Sequence, residues 1–300
     1  MSTIKLFKTL NNKVSELNAE SFGVEKSLQH LIERNLELFL RVRFLGSEYT
    51  TGKTHGGRID TLGIDENGAP VIIEYKRSIN ENVINQGLFY LDWLLDHKGE
   101  FTLMVLKKYG KEASENIEWG NSRLLCIAGE FTKYDEHAVQ QINRNIELIR
   151  YRKFEDRILL FELVNASSAN DEQPGRVGNH QKYSTVLDLL KKMGKREKDR
   201  YETIKAFIMA LGDDVQEKTL KNYIAYKRLH NFACFEFHPN DQEIVIYLKI
   251  DPSSINLEEG FARDVRKIGH YGTGDLELRI KSDEGIKKAQ DLILRSYEGS

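Results

Sequence analysis

Two cysteines in 300 residues, Cys126 and Cys234, lie far apart, each inside an apolar run. That excludes a disulfide framework and leads us to expect buried free thiols in a reducing compartment. No C-x-x-C pair or His/Cys cluster suggests zinc. No apolar run approaches the ~20 residues that cross a bilayer. The opening "MSTIKLFKTL" lacks the apolar core and small-residue cleavage site of a signal peptide. A cytoplasmic protein without a membrane segment is the expectation. An excess of one charge sign is missing too: 44 Lys and Arg stand against 46 Asp and Glu, for a formal net charge of −2. Any site for a polyanion must therefore be a local patch.

What is present describes a globular chain. Hydrophobic residues make up 40% and charged residues 30%, a balance that argues against disorder. The length fits one large or two ordinary domains. "NASSANDEQPGRVGNHQK" (Asn165 to Lys182) is polar and rich in Ser, Asn and Gly, the composition of a linker. The expected division is 1–165, a linker over 166–182, and 183–300.

Before the linker, helical spacing runs through "VEKSLQHLIERNLELFL", with Leu28, Leu31, Ile32, Leu36 and Phe39 on one face. A hairpin, a helix near Glu81–Asp96, a strand at "FTLMVL", a strand at "RLLCIAG", a helix at "DEHAVQQINRNIELIR" with Asp135 as a cap, and a strand at "RILLFELV" follow. Helices alternating with strands imply a central mixed sheet covered on its faces. After the linker come helices at Ser184–Lys192 and Asp199–Leu211. Strands at Phe232–Phe237 and Glu243–Ile250, a strand at "DLELRI" and a Ser-capped terminal helix complete a small α+β domain.

The hairpin "GRIDTLGIDENGAPVIIEYKR" places charges among apolar residues. In its second strand Ile72, Glu74 and Lys76 share one face, and Val71, Ile73 and Tyr75 the other. A tip centred near Asn67 makes Asp60 and Glu74 cross-strand neighbours, with Lys76 one step along. Two carboxylates that close repel unless a cation lies between them. Mg²⁺ or Mn²⁺ suits such hard oxygen ligands. A lysine beside them can orient or deprotonate a water and stabilise charge on a phosphate. The competing reading, a solvated ion-pair cluster, sits poorly with a strand this apolar, because buried charges need a reason.

At these residues the chain resembles the PD-(D/E)xK, restriction-endonuclease-like, nucleases. The resemblance rests on "RID" (Arg58–Asp60), "EYK" (Glu74–Lys76) and the order of elements around them, with Ile59 in place of the Pro of the family name. "QGLFY" puts Gln86 and Tyr90 four apart on one helical face and is similar to the QxxxY motif of the RecB-type branch, where the pair supports the site and meets DNA. From roughly Glu25 to Val164 the chain resembles the catalytic module of NucS-type endonucleases. The resemblance implies an α/β fold (α+β overall): a restriction-endonuclease-like mixed central sheet flanked by helices, plus the small C-terminal α+β domain.

It further implies a Mg²⁺- or Mn²⁺-dependent deoxyribonuclease acting on DNA, in repair or in defence against foreign DNA. Asp60 and Glu74 would be metal ligands, Lys76 would be catalytic, and a glutamate on the preceding helix would complete the metal site. Glu25 matches best, with Glu33 and Glu37 as alternatives. Arg58 is a candidate phosphate contact. Many nucleases of this fold cut as dimers, which makes a homodimer an expectation. A protein that keeps the fold, binds nucleic acid and does not cut is the rival reading.

Lys133, Arg144, Arg150, Arg152, Lys153 and Arg157 offer a phosphate-backbone surface, against which stands a plain solvated helix face. Gly52-Lys53-Thr54 mimics the tail of a P-loop, but Gly46 is one residue too distant and a strand follows rather than a helix. "GHYGTGD" lacks dinucleotide spacing. The C-terminal part resembles a small domain of unknown function sometimes labelled a transport protein, and reads here as a binding or dimerisation module. Tyr223, Tyr226 and Phe232 fit either nucleic-acid contact or core.

Overall fold

In a computed structural model of the chain the described residues are 4–20, 25–52, 56–76, 83–155, 157–167 and 185–300. Two compact units emerge, Met1–Asp65 with Ala69–Asp171, and Glu66–Gly68 with Glu172–Ser300. Most of the expected linker (168–182), Lys53 and Thr54 of the P-loop-like stretch, and Glu81 lie outside the described residues.

The first unit opens with a hairpin, β1 (Leu6–Leu10) and β2 (Lys13–Leu17), and a short β3 (Ala19–Glu20). Helix α1 (Glu25–Arg34) buries Leu28 and Ile32 completely. The single helix expected over this stretch is interrupted at Asn35, and a short α2 (Leu36–Leu40) continues to Arg41, whose left-handed φ of +51° stops it. Strands β4 (Val42–Thr50), β5 (Arg58–Asp65) and β6 (Pro70–Lys76) form an antiparallel meander. Helices α3 (Val83–Asp96) and α4 (Lys98–Glu115) carry the chain over to β7 (Arg123–Ala128), parallel to β6. Helix α5 (Lys133–Gln141) then leads to β8 (Asn145–Phe154), parallel to β7, and β9 (Ile158–Ser167) runs back antiparallel. The sheet order is β3-β8-β7-β6-β5-β4, with β9 also on β8. The fold is thus the expected mixed central sheet flanked by helices.

Burial explains the pattern of the central strands. Every residue of β7, and all of β6 but Lys76, is buried. Strands covered on both faces read as continuous apolar runs rather than alternating ones. The register of β5 on β6, from Thr61 opposite Ile73 to Ile64 opposite Pro70, is symmetric about Asn67. At the end of these strands Arg123, 5% exposed, donates to Asp65 at 3.0 Å and to both oxygens of Glu147 at 2.8 and 2.9 Å.

Several expectations are corrected. "FTLMVL" is helical, part of α4, with Phe101 and Val105 buried one turn apart and Leu103 and Leu106 exposed. A short apolar run fits either period, and the parallel step from β6 to β7 requires a crossover that only helix supplies over this length. The α4 chain bends at Gly110, where φ is +87°. The helix expected over Asp135–Arg150 is α5 followed by β8. Thr132, rather than the expected Asp135, caps α5: its hydroxyl accepts from the Asp135 N–H at 3.2 Å, and the Asp135 carboxylate accepts from the Thr132 N–H at 2.8 Å. Lys133, Arg144, Arg150, Arg152, Lys153 and Arg157 therefore share no helix face. Arg150 is a buried strand residue paired with Glu130 at 3.0 Å and Glu162 at 3.6 Å. Asn165–Ser167, expected as linker, finish strand β9.

The second unit has a six-stranded antiparallel sheet in the order β10 (Gln216–Thr219), β11 (Ile224–Lys227), β12 (Asn231–His238), β13 (Glu243–Leu248), β15 (Leu276–Ile280) and β14 (Ala262–Asp264). Its helices are α6 (Val186–Lys192), α7 (Lys195–Met209) and α8 (Asp283–Glu298), the last capped by Ser282 as expected. Ile204 and Ile208 of α7 and Ile293 of α8 pack with Tyr226, Phe232, Phe235 and Phe237 in one core. Tyr223 is buried at 7% exposure beside Cys234. Of the two uses open to these aromatics, core is the one realised. No helix among the described residues is long and apolar enough to cross a membrane.

Candidate active site

The β5–β6 ladder stops one residue short of the carboxylates, and the carboxylates replace it. Beyond Thr61 opposite Ile73 the next residues are Asp60 and Glu74. The Asp60 N–H donates to Glu74 Oε1 at 3.1 Å, and the Tyr75 N–H donates to Asp60 Oδ2 at 3.0 Å. Each side chain thus accepts a bond from the neighbouring strand where a backbone carbonyl would otherwise stand. The two acids are near enough for the charge of Asp60 to disfavour ionisation of Glu74.

Burial sets the electrostatics. Glu74 has 0% exposure, and its Oε2 is buried with no hydrogen-bond partner among the described residues. Leaving such an acceptor unsatisfied costs about 1–3 kcal/mol, more when it is charged. Loss of water, and then repulsion from Asp60, push the Glu74 carboxyl up to about 9 from its ordinary 4.5. Asp60 rises from 3.8 to about 6, again chiefly by burial, with Glu25 and Glu48 adding repulsion against the bond from Tyr75 and the charge of Lys76. Two adjacent carboxyls whose ionised forms are disfavoured, one with an oxygen left unpaired, are a donor set that a small, hard divalent cation would satisfy.

The other sequence-derived residues fall around this pair. Lys76, one step beyond on the face of Glu74, has 16% side-chain exposure and lies 3.8 Å from Glu25 Oε1. Glu25 begins α1 beside Lys76, and its charge adds repulsion at both Asp60 and Glu74. Tyr90 and Gln86 act on the backbone leading into β5. The Tyr90 hydroxyl accepts from the Arg58 N–H at 3.1 Å and from the Gln86 amide at 3.3 Å. Tyr90 packs so closely on Gly57 that a Cβ there would meet its ring at 2.4 Å. Arg58 is 62% exposed along its side chain, and its Nε lies 2.5 Å from Glu48 Oε2. Glu33 faces Thr61, whose hydroxyl lies 2.6 Å from Glu33 Oε1 and 3.2 Å from the Tyr75 hydroxyl. Glu37 lies exposed in α2.

Two residues escape sequence reasoning. Gln29, 4% exposed, donates its amide to the Asp60 carbonyl at 2.9 Å and to Glu33 at 3.1 Å, which fastens α1 to the carboxylate strand. It lies one turn past Glu25, on the same face, a signal that helical spacing alone would have given. Glu48 lies on β4. Ser47 pairs with Thr61 and Tyr49 with Ile59, so Glu48 stands across from Asp60 on the side opposite Glu74. Its φ is +52°, a conformation that costs a residue with a Cβ about 1–3 kcal/mol.

A different grouping of metal-ligand type lies in the second unit, where donor atoms of His238, Asp241 and Glu243 come within 4.8 Å of one another. There Glu243 is already compensated by Arg279 at 2.8 Å and Lys281 at 3.0 Å.

Comparison with known proteins places the second unit first. Residues 189–300 match the family described as "Domain of unknown function (DUF5655)". Over 98% of its length the chain is 27% identical to an uncharacterized protein of Haemophilus influenzae, all of which it covers. Among solved structures, it is similar to a repair endonuclease from Pyrococcus abyssi, at a TM-score of 0.28 and 19% identity over 44% of this chain and 49% of that one. It is also similar to the EndoMS–dsDNA complex, at a TM-score of 0.26 and 19% identity over 46% of this chain and 51% of that one. The chain therefore matches about half the length of each solved structure.

Proposed function

We propose that this chain is a nuclease that hydrolyses DNA phosphodiester bonds with Mg²⁺ or Mn²⁺ held at Asp60 and Glu74. The observation that carries the reading is Glu74 Oε2: a buried carboxylate oxygen with no hydrogen-bond partner among the described residues, on a side chain close enough to Asp60 to be repelled by it. A sheet that needed only stability would place an apolar residue there, as it does at Ile72 and Ile73.

When bound, the cation supplies Lewis-acid polarisation of the phosphate and acidification of water. Asp60 and Glu74 would hold it on a rigid frame, because the backbone N–H groups of Tyr75 and Asp60 fix one oxygen of each. Lys76 brings its ammonium to the same mouth, where it orients the attacking water and offsets charge gathering on the phosphate oxygens. Glu25, at 3.8 Å, limits where that ammonium can go. In the reaction a bond forms between water oxygen and phosphorus as that water gives a proton to solvent, the ester P–O bond breaks, and the departing oxygen takes up a proton from solvent. Gln86 and Tyr90 serve by holding the backbone at Arg58, two residues ahead of Asp60.

The test is incubation with plasmid, branched and single-stranded DNA, with EDTA and with Mg²⁺ or Mn²⁺. Metal-dependent cutting that disappears in Asp60→Ala is the expected result. Retarded migration of DNA without cutting under any of these conditions would favour the non-cutting, binding reading instead.

A further inference from the structure

The row of carboxylates across three strands has a third member. Register places Glu48 on β4, Asp60 on β5 and Glu74 on β6 side by side, and Glu48 adds to the repulsion felt by Asp60. Glu48 Oε2, like Glu74 Oε2, has no hydrogen-bond partner among the described residues, but it forms a close ion pair with Arg58 Nε at 2.5 Å, and Glu48 Oε1 lies 3.8 Å from Lys26 Nζ. Arg58, two residues before Asp60, shares its side of β5. Its backbone N–H is held separately by Tyr90, so Tyr90 fixes the base of this arginine and Glu48 fixes its guanidinium group. Glu48 does this from a left-handed backbone conformation that glycine or asparagine would adopt more readily.

We infer that Glu48 is a positioning residue that holds the Arg58 guanidinium at the rim of the site, ready to receive a DNA phosphate beside the carboxylate pair. The inference rests on the nuclease reading above and names the group that would present the substrate. An arginine fork matches the geometry of a phosphate. A guanidinium already parked beside the metal-holding pair spares the substrate the search for alignment, and misalignment of a reacting phosphate costs on the order of 10²-fold in rate. The same carboxylate works against DNA binding, because it repels phosphate and competes for Arg58. Glu48 therefore exchanges affinity for placement.

Four variants separate this role from a structural one. Glu48→Asp keeps the charge in a residue that tolerates left-handed φ, and should cut within a few-fold of the native chain. Glu48→Asn has nearly the shape of the aspartate without the charge, and should lose about 10–100-fold in kcat. Glu48→Gln should lose rate similarly, while binding a DNA duplex in EDTA several-fold more tightly. Glu48→Gly should melt about 2–4 °C higher through release of backbone strain and still lose rate. A stabler protein that is a poorer nuclease is an outcome that structural damage does not produce. If Glu48→Asn and Glu48→Gly cut at the native rate and bind DNA in EDTA with native affinity, the inference is overturned. If the native chain itself neither cuts nor binds Mn²⁺, the nuclease reading falls instead.

Discussion

Glu74→Gln is expected to abolish metal-dependent cleavage while removing most of the loss of stability that the metal-free native chain suffers as pH rises. The sign follows from the carboxyl's environment. Burial and Asp60 raise Glu74 from 4.5 to about 9, so between those values the folded state keeps a proton that the unfolded state has released. The stabilisation from that proton is complete below pH ~4.5 and is lost as pH climbs through the folded value. Native protein in EDTA should therefore melt at steadily lower temperature from about pH 5 to about pH 9. Asp60, raised to about 6, adds its own slope at the acidic end. Glutamine keeps the shape and is neutral, so the Glu74 part of the slope vanishes. Saturating Mn²⁺ should restore the native melting temperature most at high pH, where the cation replaces a missing proton, and should leave the variant unmoved. Melting curves across pH, with EDTA and with Mn²⁺, read both effects. An equal pH slope in the variant would show that Glu74 is not the titrating group.

Lys76→Met should separate chemistry from metal holding. The ammonium is largely covered and lowers both carboxylates electrostatically. Methionine keeps the apolar stem and removes the charge. Cleavage under single turnover should fall about 10²–10³-fold, the usual loss when one preorganised charge-stabilising group leaves an active site. Cation binding should persist but need higher pH, since both acids then hold their protons more tightly. DNA affinity should change little. A variant that cuts at the native rate would remove Lys76 from the chemistry, and one that binds no cation at any pH would make it part of the metal site instead.

The pairing of Asp60 with Glu74 was legible in the sequence because a short turn fixes register by symmetry. Counting outward from Asn67 gives the neighbours that the strands adopt. The central strands were legible as apolar runs, and α8 by its serine cap. What escaped depends on contacts distant in sequence. "FTLMVL" has too few residues to choose between periods, and its helix is imposed by the crossover from β6 to β7. β4 did not announce itself, since Gly46, Ser47 and Glu48 interrupt its apolar pattern and its register on β5 shifts between Phe44 and Gly46. No local rule counts across such an irregularity, so Glu48 could not be set beside Asp60 before β4 was placed. The basic stretch after Lys133 misled for the reverse reason: Arg150 looked like a surface cation, and two glutamates on separate segments hold it buried in β8.

The central claim, that Asp60 and Glu74 together hold a divalent cation, is tested most directly by counting protons. Mn²⁺ is titrated calorimetrically into the full chain at pH 7 in buffers of different ionisation enthalpy, and again near pH 10. A carboxyl raised to about 9 is protonated at pH 7 and must give up its proton to become a ligand. The account predicts Mn²⁺ binding at this pair with release of close to one proton at pH 7, release falling toward zero near pH 10, and loss of that binding in Asp60→Asn with Glu74→Gln. Binding that releases no proton at pH 7, or that survives the double substitution, would contradict it.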